Sequence, residues 1–376
     1  MKNMDIQIMQ SSHITYHIYK ADCFGSSRIN IQKSWDAHPV FIHKRPRNTI
    51  SHTNGFIDVD SFELNAMSLI FLILKLKGKQ TLVFHAQSAL PCLLLARIVA
   101  LLFRKNKIVF VYDIHDLHEY RKERNVWRCI RYSFLRHYSL RVIEYICFRD
   151  NSIKKITVSE GLANEVAKQY GVSLPLVVMS CPPPEKKSFD SLTVENKKAL
   201  VYFGAPERAP YELINQIKEL GLELHLYGRD ITSAAVSDLV GADKLDCVKF
   251  FGEYFPNDLS FLSQYSFLIL YKPHLKTVNY KISLPNKLFQ ALNVGLTLII
   301  SDNFIEIKNL LDCIPGAVIV LRSEQDISCA IERACSMRDK DYKQRLYDYL
   351  CELHDKSKRT YMQVTSASPL FSINKH

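Results

Sequence analysis

The feature that most constrains the fold is a repeated alternation of short β-branched runs with longer helical patterns. In the first half of the chain, strand-like segments occupy residues 81–86, 107–113, 154–159 and 176–181. Helical patterns lie between them at 88–104, about 121–150 and 161–170. This alternation is typical of a parallel sheet that helices cover on both faces.

A proline-rich and charged stretch, PPPEKKSFDSLTVENKK at 182–198, interrupts the alternation and is the clearest linker candidate. The alternation then resumes, with strand-like segments at 198–204, 222–228, 248–252, 266–272, 296–301 and 317–321. The sequence therefore predicts an α/β protein of two doubly wound, Rossmann-like domains facing a central cleft. The predicted boundaries are a first domain at 1–185, a linker at 186–198, a second domain at 199–340, and a C-terminal helix and tail at 341–376.

Composition is consistent with two domains and narrows the partners. A chain of 376 residues with 47% hydrophobic content can bury a large core, which excludes a small binding module. The formal net charge of +11 favours an acidic partner, which could be a nucleotide, a nucleic acid or an anionic membrane surface. The ten cysteines form no CxxC pair, so they indicate reduced core residues of a cytoplasmic protein rather than a disulfide or zinc framework.

The N-terminal residues lack the layout of a signal peptide. The longest apolar runs, around 66–74 and 89–103, are shorter than the ~20 residues that a membrane-spanning helix requires. We therefore expect no segment that crosses a bilayer.

A short stretch in the second half, SLPNKLFQALNVGLTLIISDN at 283–303, suggests an anion site. Pro285 suits the first turn of a helix, whose free amides attract anions, and Lys287 adds a full positive charge beside them. GAPER at 204–208 and YGRD at 227–230 each place a glycine and then an arginine after a strand. A guanidinium in that position can bind a phosphate through two hydrogen bonds. Together these features predict a diphosphate in the cleft.

At this point the sequence resembles the GT-B glycosyltransferases, in particular glycosyltransferase family 4 and related bacterial surface-polysaccharide enzymes. The similar segments in the second half are VYFGAPER, LHLYGRD, VKFFGEYFPNDLSFLSQYSFLILYK and SLPNKLFQALNVGLTLIISDNFIEIKNLL. In the first half they are YDIHDLHE and KKITVSEGLANEVAKQYGVSLPLVVMSCPP. The resemblance covers roughly residues 80–320 and contributes little to residues 1–80.

The resemblance implies a metal-independent hexosyltransferase that uses no cofactor and moves a sugar from a nucleotide diphosphate sugar, with retention at the anomeric carbon. The first domain would bind the acceptor and the second the nucleotide sugar. The implied catalytic residues are His115, Arg208 and Lys287, with the two cations neutralising the departing diphosphate. The implied donor-binding residues are Gly204, Arg229, Tyr254, Ser283, Leu284, Asn286 and Gln290. His85 and Asp116 are placed on the acceptor side.

Some of these positions have a purely structural alternative. His85 and His115 could be core histidines at strand ends, and Tyr254 could be a packing aromatic. Asp113, Asp116 and Glu119 lie near His115, but a strand followed by a loop gives no dependable ligand geometry, so no metal site is predicted.

The sequence also departs from the family pattern along the helix after Lys287. Gln290 stands where relatives commonly carry a glutamate that binds the ribose hydroxyls, and an amide lacks that charge. Ile282 stands at the position of the other family acid. Relatives with the LPNK form also lack that second acid, so it is the departure at Gln290 that puts the strength of ribose binding in question.

The acceptor is the part of the function on which the sequence says least. The segment 121–145 interleaves arginines with aromatic residues and would suit anionic headgroups, although a solvated helix face explains the same pattern. We expect a glycan or lipid-linked acceptor in capsule or lipopolysaccharide synthesis, a cytoplasmic or inner-face peripheral location, and no nucleic-acid partner. A GT-B epimerase or hydrolase, or a non-catalytic nucleotide- or nucleic-acid-binding scaffold, remains as an alternative.

Overall fold

The computed structural model contains two parallel β-sheets, each covered by helices. It describes residues 13–19, 27–36, 39–43, 61–63, 65–117, 135–186, 199–205, 208–228, 242–254, 259–274, 277–338 and 341–366. Among these residues, no helix combines the length and the apolar character needed to span a bilayer.

The N-terminal sheet has seven parallel strands in the order β3-β2-β1-β4-β5-β6-β7. The strands are β1 (Thr15–Tyr19), β2 (Pro39–His43), β3 (Ser61–Glu63), β4 (Gln80–His85), β5 (Ile108–Ile114), β6 (Ile153–Thr157) and β7 (Leu176–Val177). The connecting helices are α1 (Ser27–Trp35), α2 (Ala66–Lys75), α3 (Leu90–Leu102), α4 (Leu135–Arg149) and α5 (Glu160–Tyr170). Strands β4 and β5 are almost completely buried, as expected for the centre of a parallel sheet.

The C-terminal sheet has six parallel strands in the order β10-β9-β8-β11-β12-β13. The strands are β8 (Ala199–Phe203), β9 (Glu223–Tyr227), β10 (Val248–Phe250), β11 (Phe267–Leu270), β12 (Thr297–Ser301) and β13 (Val318–Leu321). The helices are α6 (Ile214–Glu219), α7 (Val278–Ile282), α8 (Asn286–Leu292), α9 (Ile305–Leu311), α10 (Ile327–Met337) and α11 (Tyr342–Thr365).

Helix α11 joins the two halves of the molecule. Leu346 and Leu350, in its first half, pack in the core of the C-terminal sheet. Tyr361 and Val364, in its last turns, pack instead against Trp35 and neighbouring residues of the N-terminal sheet. One 24-residue helix therefore contributes to both cores.

The structure confirms the predicted strands but corrects one of them. The apolar run at 176–181 predicts a six-residue strand, whereas β7 ends after two residues. The backbone then leaves the sheet, with the Val178 carbonyl accepting a hydrogen bond from Arg28 rather than pairing with a strand. Three prolines follow at 182–184, and they have no N–H to donate to a sheet. Residues 121–134 and most of the predicted linker, 187–198, lie outside the described residues.

Candidate active site at the carboxyl ends of the two sheets

The candidate site lies where the strand ends of the two sheets face each other. In a parallel sheet every strand ends at the same edge, so the loops after neighbouring strands converge there. On the N-terminal side these loops follow β4 and β5 and carry His85 and His115. On the C-terminal side they follow β8 and β11 and carry Gly204, Arg208 and Lys287.

Gly204 and Lys287 fit closely together at the end of β8. Gly204 has a φ of 137°, which only glycine adopts readily. A Cβ atom at this position would lie 2.5 Å from the Lys287 Nζ atom. The Lys287 ammonium also lies 4.2 Å from the centroid of the Tyr202 ring. The absence of a side chain at Gly204 therefore gives the ammonium its place against the strand end.

Arg208 supplies a second positive charge on the same side. Its side chain is exposed, and its guanidinium carbon lies 5.9 Å from the centroid of the Tyr280 ring. Both cations therefore lie over aromatic rings, and a cation–π contact of this kind acts through the positive charge of the group.

The residues at the start of α8 differ in exposure. Ser283 is half-buried, Leu284 is buried and Asn286 is exposed. Helix α8 has only seven residues, so its dipole is a weak source of positive potential. The charges of Lys287 and Arg208, rather than the helix end, are therefore the main source of positive potential here.

Three other predicted donor-binding residues lie less favourably or cannot be placed. Gln290 is 5% exposed, so its side chain offers almost no surface to a ribose in this conformation. Tyr254 packs edge-to-face on Phe203, with ring centroids 5.3 Å apart, and burial raises the pKa of its hydroxyl. Arg229 lies outside the described residues. The donor contacts of all three remain predictions.

On the N-terminal side, the centre of the site is Asp113, a carboxylate without exposed surface. Arg28, on α1, grips both of its oxygens, with its Nε atom 2.7 Å from Oδ2. His115 donates from Nε2 to the same Oδ2 over 3.1 Å, while a quarter of its side chain stays exposed. A carboxylate can only accept, so Nε2 carries the proton of this hydrogen bond, and Nδ1 is the nitrogen that does not face Asp113.

A chain of hydrogen bonds runs from Asp113 into the sheet. His85 lies beside Asp113 in the β4–β5 register and donates from Nδ1 over 2.8 Å. The His85 Nε2 atom lies 3.0 Å from Nδ1 of His17 on β1. The His17 Nε2 atom lies 2.7 Å from a carboxylate oxygen of Asp36, which also accepts from the Tyr361 hydroxyl of α11.

This chain holds one more proton than its neutral imidazoles supply. Three hydrogen bonds connect the carboxylates of Asp36 and Asp113 through two histidines, and each bond requires one proton. Two neutral imidazoles carry only two N–H groups. With Asp113 ionised, the third proton must reside on an imidazole or on the Asp36 carboxyl.

The pKa shifts of His85 and Asp113 indicate the charge state at the Asp113 end of this chain. Burial lowers the pKa of His85 to about 3, although Asp113 acts in the opposite direction, so His85 is neutral at physiological pH. Burial alone would raise the pKa of Asp113, but the charges of Arg28 and His115 and the histidine hydrogen bonds hold it well below its usual range. His85 and Asp113 therefore enter this chain as a neutral ring and an ionised carboxylate.

His85, Asp113 and His115 also form a group whose ligand atoms lie within 4.8 Å of one another, close enough to hold a metal. The geometry does not favour one. The Arg28 guanidinium already neutralises Asp113 and occupies both of its oxygens. A metal ion would have to displace that guanidinium or lie beside its positive charge.

The predicted acceptor-side residues lie at different depths. His85 is fully buried beneath His115, so it does not present a surface to an acceptor in this conformation. Asp116 is exposed, and its backbone carbonyl accepts a hydrogen bond from Gln87. Between these loops, Ala86 has a φ of 59°, a strained conformation for a residue with a side chain. Such strain is common at functional sites, and here it lies at the end of β4.

Direct contacts close one side of the cleft. The Leu117 backbone N–H and carbonyl bond to the side chain of Asn279 over 2.8 and 2.9 Å. The Ser159 hydroxyl donates to the Ile282 carbonyl, and the Gly161 N–H donates to Glu306 over 2.9 Å. The first contact joins the loop after His115 to α7, which carries Tyr280. The other two join the start of α5 to the end of α7 and to α9. These hydrogen bonds fix the two walls of the site relative to each other on this side.

Sequence reasoning missed several residues of this arrangement: His17, Arg28, Gln32, Asp36, Asn279, Glu306 and Tyr361. Most lie in the first 80 residues or in the C-terminal helix, where no recognisable motif occurs. The strand Thr15–Tyr19, TYHIY, does carry the aromatic and β-branched pattern of a strand, and it could have indicated His17. Nothing in the sequence signals that Arg28 pairs with Asp113, 85 positions away.

Comparison with known proteins identifies the fold. No protein-family model matches the sequence, and a search of curated proteins finds no relative. A glycosyltransferase from Rickettsia africae has a similar structure, with 11% identity and a TM-score of 0.63 over 95% of this chain and 100% of that one. Anabaena HepE, solved in complex with UDP, is 12% identical with a TM-score of 0.60 over 95% and 96% of the two chains.

A third similar structure is WaaG, described as a glycosyltransferase involved in lipopolysaccharide biosynthesis. It is 12% identical with a TM-score of 0.58 over 94% of this chain and 100% of that one. The three similarities extend over almost the whole chain. The protein therefore has the GT-B fold of two Rossmann-like domains, which confirms the fold predicted from the sequence.

Proposed function

We propose that the protein is a glycosyltransferase that moves a hexose from a nucleotide diphosphate sugar to an acceptor. The observation that carries the proposal is the pair of cations at the end of β8. Lys287 lies against the bare backbone of Gly204, and Arg208 lies on the same loop. The GT-B fold and the UDP and UDP-glucose complexes of HepE support this assignment.

The chemistry of sugar transfer needs cations at this place. As the glycosidic bond to the diphosphate breaks, negative charge grows on the leaving oxygen and positive charge grows on the sugar ring. Fixed cations at the phosphate stabilise that charge without reorganisation, which lowers the barrier. In the proposed reaction, Lys287 and Arg208 bind the leaving diphosphate, and no metal or cofactor takes part.

His115 would face the sugar from the opposite wall. Its Nε2–H group donates to Asp113, so Nδ1 is the ring nitrogen left to meet a hydroxyl of the donor sugar, as an acceptor when the ring is neutral. We propose transfer with retention at the anomeric carbon, as the family resemblance implies, and His115 then orients the sugar.

The acceptor assignment extends the proposal further. We propose a glycan or lipid-linked acceptor in the synthesis of a cell-surface polysaccharide, on the cytoplasmic side of the membrane. The similarity of the fold to WaaG supports this class of acceptor.

A thermal-shift screen against nucleoside diphosphates and their sugars tests donor binding. A nucleotide held at 100 times its dissociation constant should stabilise the protein by about 2.7 kcal/mol. Product analysis with the donor that binds then separates transfer from hydrolysis or epimerisation, because only transfer requires an acceptor. If no nucleotide diphosphate raises the melting temperature, the proposal is wrong.

Two glycine variants make the screen specific for the anion site. Gly204→Ala and Gly221→Ala both place a side chain on backbone with positive φ. Only the Cβ at Gly204 would meet Lys287, whereas the Cβ at Gly221 would meet nothing within 4 Å. We expect the nucleotide-induced shift to disappear in Gly204→Ala and to persist in Gly221→Ala. Equal shifts in both variants would exclude the assigned site.

A further inference from the structure

Three neighbouring helices of the N-terminal domain carry an unusual number of exposed apolar side chains. Helices α2, α3 and α4 pack side by side on one face of the N-terminal sheet. Most of the large apolar side chains exposed in the described residues lie here: Met67, Phe71, Ile98, Leu101, Leu102, Phe103, Tyr138, Val142, Tyr145 and Ile146. We call this surface the α2–α4 face. Leu102 is 73% exposed and Tyr138 is 64% exposed, so these side chains protrude into solvent and do not lie at the edge of the hydrophobic core.

The apolar groups form stripes with helical spacing. On α4 they recur at positions 138, 142, 145 and 146, and on α3 at 98, 101 and 102. These residues point away from the buried stripes of the same helices, such as Leu93 and Ala96 on α3. Each of the two helices is therefore apolar toward the sheet and again toward solvent, which a water-exposed helix normally avoids.

The charge around the α2–α4 face has one sign. Residues 65–112 contain no aspartate or glutamate, but they contain Lys75, Lys77, Lys79, Arg97, Arg104, Lys105 and Lys107. Five of these seven basic residues are exposed; Lys105 instead donates to the last carbonyls of α2, and Arg97 pairs with Asp150. On α4 the one acid is Glu144, which is 1% exposed and bonded to Tyr170.

We infer that the α2–α4 face docks on the surface of an anionic lipid bilayer. Protruding aromatic and aliphatic groups beside basic side chains are what an interfacial site requires, because the apolar groups enter the headgroup region while the cations meet anionic headgroups. Nucleic acid would match the charge but would leave the apolar groups uncovered. A second copy of the chain would bring like charges together.

The direction of the helices connects this face with the candidate site. Helices of a parallel sheet run opposite to the strands, so α2 and α4 begin at the edge where the strands end. Met67 and Tyr138, in the first turns of those helices, therefore lie at the cleft end of the face, whereas Leu102, Arg104 and Lys107, at and after the end of α3, lie at its opposite end. A protein that docks along the whole length of the face would hold the cleft close to the bilayer, where a lipid-linked acceptor would be reached. In this respect the inference rests on the proposed function and adds the location of the acceptor.

Vesicle binding by the full chain tests the inference without donor or acceptor, so either proposal can fail alone. We expect cosedimentation with phosphatidylcholine vesicles that contain phosphatidylglycerol, weak binding to phosphatidylcholine alone, and loss of binding as salt rises. Equal binding to both vesicle types, or binding to neither, would overturn the inference.

Two pairs of variants locate the contact. Leu102→Gln should weaken binding, and Leu174→Gln, which changes another exposed leucine of the same domain, should not. Removing the charges in Arg104→Gln with Lys107→Gln should weaken binding about 25-fold, at roughly fivefold per basic residue, whereas Lys308→Gln on α9 should have no effect. If the Leu102→Gln and Leu174→Gln variants bind vesicles equally well, the α2–α4 face is not the docking surface. If sedimentation shows a dimer that Leu102→Gln dissociates, a second copy covers the face instead.

Discussion

The two walls of the cleft are built in opposite ways. On the N-terminal wall, Asp113 has no exposed surface and accepts hydrogen bonds from four side chains, Arg28, Gln32, His85 and His115. On the C-terminal wall, Lys287 and Arg208 lie over aromatic rings and remain partly or fully exposed. On one wall the buried charge of Asp113 is paired within the protein, and on the other wall positive charge lies near the surface.

The contrast separates positioning from binding. A buried network of hydrogen bonds around a charge is costly to disturb, so it holds His115 in a fixed orientation. Lys287 and Arg208 instead place positive charge at a strand end, where it would attract an anion from solution. We therefore expect substitutions on the N-terminal wall to affect stability first, and substitutions on the C-terminal wall to affect ligand binding first.

The largest expected effect is on the N-terminal wall. Asp113→Ala would leave the Arg28 guanidinium buried without its carboxylate, which costs about 3–5 kcal/mol in the free energy of unfolding. Urea denaturation measures this loss. Asp116→Ala, three positions along and exposed, is the control and should change the free energy by less than about 0.5 kcal/mol. Similar losses in both variants would contradict the role of Asp113 as the centre of the network.

The second prediction concerns the loss of stability at low pH. The pKa of His85 is about 3 in the folded protein and ~6.5 in an unfolded chain. Between these values the unfolded state binds a proton that the folded state does not, so the free energy of unfolding falls as the pH falls. The slope for this residue approaches about 1.4 kcal/mol per pH unit, and the lowered pKa of Asp113 adds a further loss below pH ~4.

Urea denaturation at several pH values between 7 and 4 measures the slope. His85→Gln removes the titrating group, so its free energy of unfolding should depend less steeply on pH than that of the parent protein. Identical slopes would show that His85 is not held neutral.

The smallest predicted effect lies where the walls meet. A Cβ at Gly161 would lie 2.6 Å from a carboxylate oxygen of Glu306 and 3.1 Å from the Cβ of Ile282. Gly161→Ala should therefore push Glu306 away from its N–H partner and lower stability by about 0.5–1.5 kcal/mol, the range of one hydrogen bond. In a double-mutant cycle with Glu306→Ala, the two losses should not add. Additive losses would mean that the two residues do not act through one contact.

The sequence predicts the strands and the two domains better than it predicts the residues that surround Asp113. Strands such as Ile108–Ile114 are visible because their side chains are buried on both faces, and Gly204 and Lys287 are visible because each follows a recognisable strand. The hydrogen-bond network around Asp113 cannot be recognised in the sequence. Its members lie on β1, α1, β4, β5 and α11, at positions as far apart as His17 and Tyr361. The burial of Gln290 likewise depends on how α8 packs, which its local sequence does not specify.

The central claim is that Lys287 binds a diphosphate, and calorimetry with paired ligands tests it most directly. Uridine diphosphate and uridine, and the corresponding adenosine and guanosine pairs, are titrated into the parent protein, Lys287→Ala and the control Lys308→Ala. A charge-assisted bond worth about 1.5–3 kcal/mol is lost only when the phosphates are present, so Lys287→Ala should weaken diphosphate binding by roughly 10- to 150-fold and leave nucleoside binding unchanged. Equal losses for the diphosphate and the nucleoside, or no loss for either, would contradict the account.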